Sequence, residues 1–265
     1  MSRKIVVFVS DTHIGSSVAL CPPNVVMDDG QSLTLSPLQR QLWQGWLAAW
    51  SWVSTLASGD EVITIFGGDL CEGDVKDRST QVITRNQDTI LSMVADAFAP
   101  AYTVTSKAFF IRGTEAHVGK GAWMDERIAK DCTLTVPYSD NISSFWQLRL
   151  NIEGYRLFVA HHPPSVTNPV LAAKKIKEMC STWNEPPPDL ALFGHVHTVN
   201  DSGLTMKPRI ITAPSWTASN AYVKRIGIYS APAIGLIALV IENGKLVGEP
   251  RLYTVPVKNE KEIKI

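Results

Sequence analysis

The chain has 265 residues, with 25 Lys and Arg against 25 Asp and Glu, and four cysteines. That length buries a substantial core and predicts one compact α/β domain over residues 1–265, while the even charge balance excludes a global positive field of the kind that announces nucleic acid or an anionic membrane, leaving open only a local basic groove. Cys21, Cys71, Cys132 and Cys180 are scattered without a C-x-x-C pair, which argues against a zinc ribbon or a disulfide framework and predicts a reduced, cytoplasmic setting.

Lys4 to Val9 is a continuous apolar run closing on Ser10-Asp11, the pattern of a strand buried on both faces that opens into a loop. Only five apolar residues, Ile5 to Val9, follow Arg3-Lys4, too few for a signal peptide. Residues 14 to 36 carry no period and contain Pro22-Pro23 and Asp28-Asp29-Gly30, predicting a long loop beside the strand's end. Ser36-Pro37 predicts an N-cap and a first-turn proline, with Leu38, Leu42, Trp46, Trp50 and Val53 on one face of a helix reaching about Ala57. Glu61 to Phe66 is a second strand running into Gly67-Gly68-Asp69, and Ser79 is expected to cap a second helix with Val82, Ile83, Ile90, Val94 and Phe98 inward. Lys107 to Ile111 is a third strand and Ala122 to Asp131 a shorter helix. Strands that alternate with helices and end in polar or Gly-rich loops predict an α/β core with functional loops at the strands' C-terminal ends.

The second half is richer in strands. Phe145 to Leu150 and Tyr155 to Ala160 flank Asn151-Ile152-Glu153-Gly154 as a hairpin whose second strand enters His161-His162-Pro163-Pro164. A helix from about Val170 to Thr182 precedes a strand at Asp189 to Phe193 that ends at Gly194-His195-Val196-His197. Arg209 to Thr212, Gly235 to Glu242 and about Leu252 to Val255 complete the strands. The apolar run Ala231 to Ile241 is short of the roughly 18 residues a membrane helix needs, so no membrane span is expected.

All six histidines, His13, His117, His161, His162, His195 and His197, follow predicted strand ends. One histidine is more often structural than a ligand, but six in such positions shift that balance. In an extended segment residues i and i+2 point the same way, so Asp11 with His13, and His195 with His197, are each expected to aim two donors at one point. Asp69 brings a carboxylate to the same edge and His161 another imidazole. Imidazole and carboxylate without thiolate suit Mn, Fe, Co, Ni or Zn.

In this order, Ser10-Asp11-Thr12-His13, Gly68-Asp69, His161-His162-Pro163-Pro164 and Gly194-His195-Val196-His197 resemble the motifs of the calcineurin-like metallophosphoesterases, over the stretch from Asp11 to His197. Each motif is short; four in order make a joint signal. The resemblance implies a four-layer sandwich of two mixed β-sheets flanked by helices. It also implies a first metal held by Asp11, His13 and His197, a second by His161 and His195, and Asp69 as the bridge. Two divalent ions about 3.5–4 Å apart lower the pKa of a bridging water, so that a metal-bound hydroxide attacks phosphorus, and an imidazolium protonates the leaving alcohol.

The departure lies after the third strand, where the family usually has Gly-Asn-His and an acidic residue. Here Arg112-Gly113-Thr114-Glu115-Ala116-His117 places Thr114 where the metal-binding Asn is expected. Either Glu115 supplies an oxygen, or His117 reaches in after a two-residue shift; the preferred expectation sets His117 near the leaving group, as the catalytic acid. The Gly-Thr-x-x-His text is similar to that of some phage-like members. His162 stands as either a metal ligand, a support for His161, a contact to substrate, or a loop residue before two prolines.

Plainer expectations attach elsewhere. Trp43, Trp46, Trp50 and Trp52 read as core or interface before they read as a base-stacking platform, and Lys174, Lys175 and Lys177 as a solvated helix face. Asn220 and Tyr222 carry no assignment. The expected activity is hydrolysis of a phosphomonoester or phosphodiester, by a phosphatase or phosphodiesterase using two divalent ions such as manganese. A non-catalytic scaffold of the same fold and a DNA nuclease are the alternatives, with charge leaning against the nuclease. The sequence does not speak to oligomeric state.

Overall fold

The structure, a computed structural model, describes residues 3–73, 81–219 and 232–256. Its central strand β1 (Arg3–Val9) is apolar at every position from Ile5 to Val9 because both of its faces are covered. Ile5, Val7 and Val9 face a helical layer, and Val6 and Phe8 face a second sheet. The same two-residue alternation divides β2 (Glu61–Phe66) and β9 (Gly235–Glu242): Val62, Phe66, Leu236, Ala238 and Val240 point to the helices, and Ile63, Ile65, Ile237, Leu239 and Ile241 to the other sheet.

The first sheet has the order β10-β9-β1-β2-β3, with β3 at Lys107–Phe110, β10 at Lys245–Leu246, and β11 (Arg251–Thr254) also paired to β9. β1, β2 and β3 are parallel, and β9 runs antiparallel to β1. The second sheet has the order β4-β5-β6-β8-β7, from β4 (Gln147–Ile152), β5 (Tyr155–Ala160), β6 (Leu190–Phe193), β7 (Asn200–Asp201) and β8 (Arg209–Thr212). β5, β6 and β8 are parallel, whereas β4 and β7 are antiparallel to their neighbours. Leu157, Val159, Leu190, Leu192 and Ile211 pack against the first sheet, while Phe158, Ala160, Ala191, Phe193 and Ile210 pack against α5 (Pro169–Thr182). The layers are therefore helix, mixed sheet, mixed sheet and helix, the α/β sandwich expected from the sequence.

Helix α1 (Pro37–Ala57) begins as its sequence predicts: the Ser36 hydroxyl accepts from Gln39 N–H, the Gln39 side chain returns to Ser36 N–H, and Pro37 fills the first turn. Such a cap contributes about 1 kcal/mol. Trp46 and Trp50 are buried, and Trp43 and Trp52 pack partly buried against the same core, as the plainer reading had it. The second helix differs from expectation. α2 spans Gln87–Tyr102 and is capped by Asn86, whose side chain accepts from Asp88 and Thr89 N–H, so Val82 and Ile83 precede it in a loop. Ile83 N–H donates to Gly15 O, so this segment packs on the loop after β1 instead of extending the helix. Ser79 lies outside the described residues, as do Asn220 and Tyr222. A short helix α3 (Glu115–Val118) and α4 (Trp123–Asp131) follow β3. Lys174, Lys175 and Lys177 are exposed on α5, the solvated face expected. All four cysteines are unpaired and buried. Among the described residues no helix is long and apolar enough to cross a membrane.

Trp46 is fully buried, its indole N–H donates to Ala97 O at 2.7 Å, and its ring meets Trp50, Phe98 and Trp216. Trp46→Ala should cost about 3–5 kcal/mol, seen as a lower urea midpoint with an unchanged slope. A loss below about 1 kcal/mol would contradict the role of this ring in joining α1 and α2.

Candidate metal centre

Five parallel strands, β1, β2, β3, β5 and β6, deliver their C-terminal loops to one edge. Asp11 and His13 follow β1, Asp69 and Glu72 follow β2, His117 lies on α3 beyond β3, His161 and His162 follow β5, and His195 and His197 follow β6. Asp11, His13, Asp69 and His161 are buried, with His195 and His197 half-buried and His162 exposed.

The donors converge, though not by strand pleating. Asp11, His13, Asp69, His195 and His197 all have positive φ, between 42° and 71°, where a non-glycine residue is uncommon and strained by roughly 1–3 kcal/mol. The extended i, i+2 geometry expected for the two pairs is thus replaced by successive left-handed turns. Backbone hydrogen bonds hold these turns: Asp11 N–H donates to Gly68 O, His13 N–H to Asp69 O and Trp216 N–H to Asp11 O. A second difference follows. Asp11 and His13 do share one donor group, together with His197, but His195 joins a separate group with His161 and His162.

In the first group, Asp11 Oδ1 lies 3.2 Å from His197 Nε2, and His13 Nε2 lies 3.3 Å from His197 Nε2. Asp11 also reaches the other side, because its Oδ1 is 3.9 Å from His161 Nε2 and both its oxygens accept from His195 N–H. Asp69 Oδ2 lies 3.0 Å from His161 Nε2, while Asp69 Oδ1 accepts from Thr114 N–H at 2.5 Å.

This donor set fits divalent metal. His161 Nδ1 is 2.7 Å from Gly67 O, a pure acceptor, so Nδ1 carries the hydrogen and Nε2 faces two carboxylates. His13 Nδ1 faces Glu72 at 2.9 Å, which likewise turns Nε2 inward. An imidazole oriented through one nitrogen and presenting the other is how proteins hold metal. The electrostatics agree. Burial acts to lower the His161 pKa, yet the Asp69 and Asp11 charges push it up to about 10. Burial acts to raise Asp11 and Asp69, yet the facing imidazoles hold both below the usual carboxylate range. A pocket that stabilises positive charge this strongly suits cations.

The remaining predicted residues part company. Glu115 is exposed and accepts from Gly121 N–H at 2.8 Å, and it joins none of the donor groups found among the described residues. His117 Nδ1 lies 2.9 Å from both oxygens of Glu72, and its ring meets His13 edge-on at 4.7 Å. Burial acts to lower the His117 pKa, and the Glu72 hydrogen bond with the Asp69 charge outweighs it, giving about 9. His162 packs 4.2 Å from the His195 ring and 4.8 Å from that of His161. Burial with the His161 and His162 charges lowers His195 to about 4.

Two residues escaped the sequence reading. Glu72 receives both His13 and His117; burial acts to raise its pKa, but those hydrogen bonds hold it at about 2. Its signal was present, a carboxylate three positions after Asp69 in the same loop. Asp125, fully buried on α4, accepts from Gly113 N–H at 2.8 Å and Leu70 N–H at 3.3 Å, tying the β2 and β3 loops together. Burial and the Asp69 charge push its pKa up to about 7. In sequence it is indistinguishable from an ordinary first-turn helix acid.

Because His161 keeps its proton to about pH 10, a cation that takes Nε2 must displace it. Metal uptake at pH 7 to 8 should therefore release protons, and apparent affinity should climb with pH towards about 10 rather than level off near the free imidazole value of about 6.5. Calorimetry in buffers of different ionisation enthalpy reads this directly; heats independent of buffer would contradict it. Gly113→Ala is a steric counterpart, since a Cβ there would lie 2.2 Å from Asp69 N and Oδ1. It should displace Asp69 and lower metal content while far-UV circular dichroism stays native.

No family model and no curated protein matches the sequence. Solved structures similar to this chain include a dimetal phosphatase from Danio rerio, 9% identical with a TM-score of 0.46, covering 95% of this chain and 99% of its own. A metallophosphoesterase from Sphaerobacter thermophilus is 10% identical with a TM-score of 0.41, covering 96% and 89%. Vps29 from Entamoeba histolytica complexed with Zn²⁺ is 11% identical with a TM-score of 0.44, covering 95% and 98%. Likeness of this degree carries no argument about activity, which must come from the donor geometry.

Proposed function

We propose that this chain hydrolyses a phosphate ester, a monoester or a diester, with two divalent ions drawn from Mn, Fe, Co, Ni and Zn. The observation that supports it is the convergence of two imidazole and carboxylate groups that share Asp11 at the C-terminal ends of the parallel strands. Asp11, His13 and His197 would hold one ion, His161 and His195 the other, and Asp69 would lie between them. Bound there, such ions supply Lewis acidity, acidifying water and offsetting the charge on phosphate.

The protein's own side chains carry the rest. Glu72 fixes the ring of His13 through Nδ1 and so directs Nε2 inward. The same carboxylate holds His117 through its Nδ1, leaving Nε2 to carry the proton that a departing alkoxide takes up. At about 9 the His117 pKa keeps that proton in place at neutral pH. Thr114 N–H and Gly113 confine Asp69 from the β3 side, which keeps its second oxygen toward His161.

A panel of p-nitrophenyl phosphate, bis-p-nitrophenyl phosphate and single-stranded DNA, assayed with each metal after chelation, separates monoesterase, diesterase and nuclease. Full metal content with no turnover on any of them would support the non-catalytic scaffold instead. Asp69→Asn should abolish activity and weaken both ions, since a neutral amide oxygen replaces a carboxylate between two cations; two tightly bound ions and near-normal turnover would rule out its bridging role. His117→Ala should leave metal content intact and slow an alkyl or sugar ester roughly 10²–10⁴-fold. p-Nitrophenolate leaves without a proton, so its ester should suffer far less. Equal loss on both would remove His117 from the acid's role.

A further inference from the structure

Where the resemblance implies an amide ligand the chain has Thr114, with Glu115, His117 and His162 as the candidates to take its role, and the structure separates them. The Glu115 carboxylate is engaged by Gly121 N–H at 2.8 Å, away from the donor groups. His117 is gathered with His13 and Glu72, on the side of the first ion, and shares no donor group with His161 or His195. His162 alone joins both of those imidazoles: one ring nitrogen from each of His161, His162 and His195 lies within 4.8 Å of the others. Its ring stands 4.2 Å from that of His195 and 4.8 Å from that of His161, nearly perpendicular to the latter.

We infer that His162 is a ligand of the second metal, taking over the place of an amide oxygen, and that Thr114 supports it without ligating. The Thr114 hydroxyl lies 3.3 Å from His162 Nε2, close enough to steady the ring in one orientation, while the Thr114 N–H is committed to Asp69 Oδ1. One residue thus aims two others, Asp69 through its backbone and His162 through its side chain. The exchange is chemically sensible because an imidazole is a stronger donor than an amide oxygen for Co, Ni or Zn. It leaves the charge of the site unchanged, which a carboxylate from Glu115 would not. His162 lies at the exposed rim, so the second ion would face solvent and substrate more openly than the first.

The inference rests on the dinuclear reading, and Co²⁺ titrated into the chelator-stripped chain tests the two apart, with bound ions counted by calorimetry and by elemental analysis after dialysis. The native chain should bind two ions. His162→Ala should leave the tighter ion untouched and weaken the other by about 100-fold, and Thr114→Val should weaken that same ion by about 10-fold, as loss of an outer support does. Glu115→Gln should change neither. Because His162 is exposed, its variant should melt like the native chain when both are free of metal. Two ions in the native chain with unchanged second affinity in His162→Ala would overturn the assignment while leaving the dinuclear reading intact, and so would a second site weakened by Glu115→Gln. A native chain that binds only one ion would sink both.

Discussion

Everything at this edge of the molecule is organised by two buried carboxylates, Asp11 and Asp69, exposed by 0% and 1%, whose ion-pair partners among the described residues are imidazoles. Two anions this close in a poorly solvated pocket would repel one another strongly unless positive charge sits between them. Protonated imidazole serves that purpose, and His161 is held protonated by both carboxylates. The fold bears the cost of assembling them because β1 and β2 are buried on both faces, so their C-terminal loops cannot drift apart without disturbing two hydrophobic layers.

The backbone strain at the converging donors belongs to the same constraint. Asp11, His13, Asp69, His195 and His197 are held left-handed at a total cost of several kcal/mol. Offsetting contacts are built around them: the ladder of Asp11 to Gly68, His13 to Asp69 and Ile14 to Leu70 joins the first two loops, and Asp125 joins the second to the third through Leu70 and Gly113. Behind that, Arg112 reaches Ser144, Gly121 O and Glu126, fixing the third loop to the segment before β4. Close approach completes the cage. A Cβ on Gly194 would lie 2.1 Å from Ser10 Oγ and 2.7 Å from Asp11 Oδ2, so only glycine lets the β6 loop meet the β1 loop.

Patterns set by burial and capping were legible in the sequence. Ser36-Pro37 starts α1 where its polar cap and proline place it, and β8 and β9 occupy the predicted spans Arg209–Thr212 and Gly235–Glu242, because β-branched runs packed on both faces leave little freedom. The histidines were legible as a group for the same reason: strand ends in parallel sheets point their loops together. What escaped depends on contacts distant in sequence. Asn86 caps α2, since Val82 and Ile83 are drawn into the loop beside Gly15. The left-handed turns at Asp11 and His195 have no local signature, as neither residue is glycine, and only the partner loops make them tolerable. Asp125 is visible only once Leu70 and Gly113 lie beside it.

Glu72 shows why the charge of such a site cannot be counted from its ligands alone. In the proposed centre, two divalent cations with Asp11 and Asp69 would carry a formal charge of about +2 before any solvent or substrate is added. The Glu72 carboxylate would subtract one unit beside the first proposed ion, which by itself would weaken attraction for a phosphate anion. Yet the same carboxylate raises the proton affinity of His117, and a protonated His117 restores the unit in a different place, on a group that can give the charge away as a proton. The Glu72–His117 pair is thus neutral overall, and in the proposed reaction it would be polarised toward departure of the leaving group. In the proposed reaction, attraction for the substrate would stay with the cations, while the proton for the leaving group would be stored on the His117 ring, held from behind by Nδ1. Without His13 and His117 to receive it, the half-buried Glu72 carboxylate would add an uncompensated anion at this edge and oppose folding.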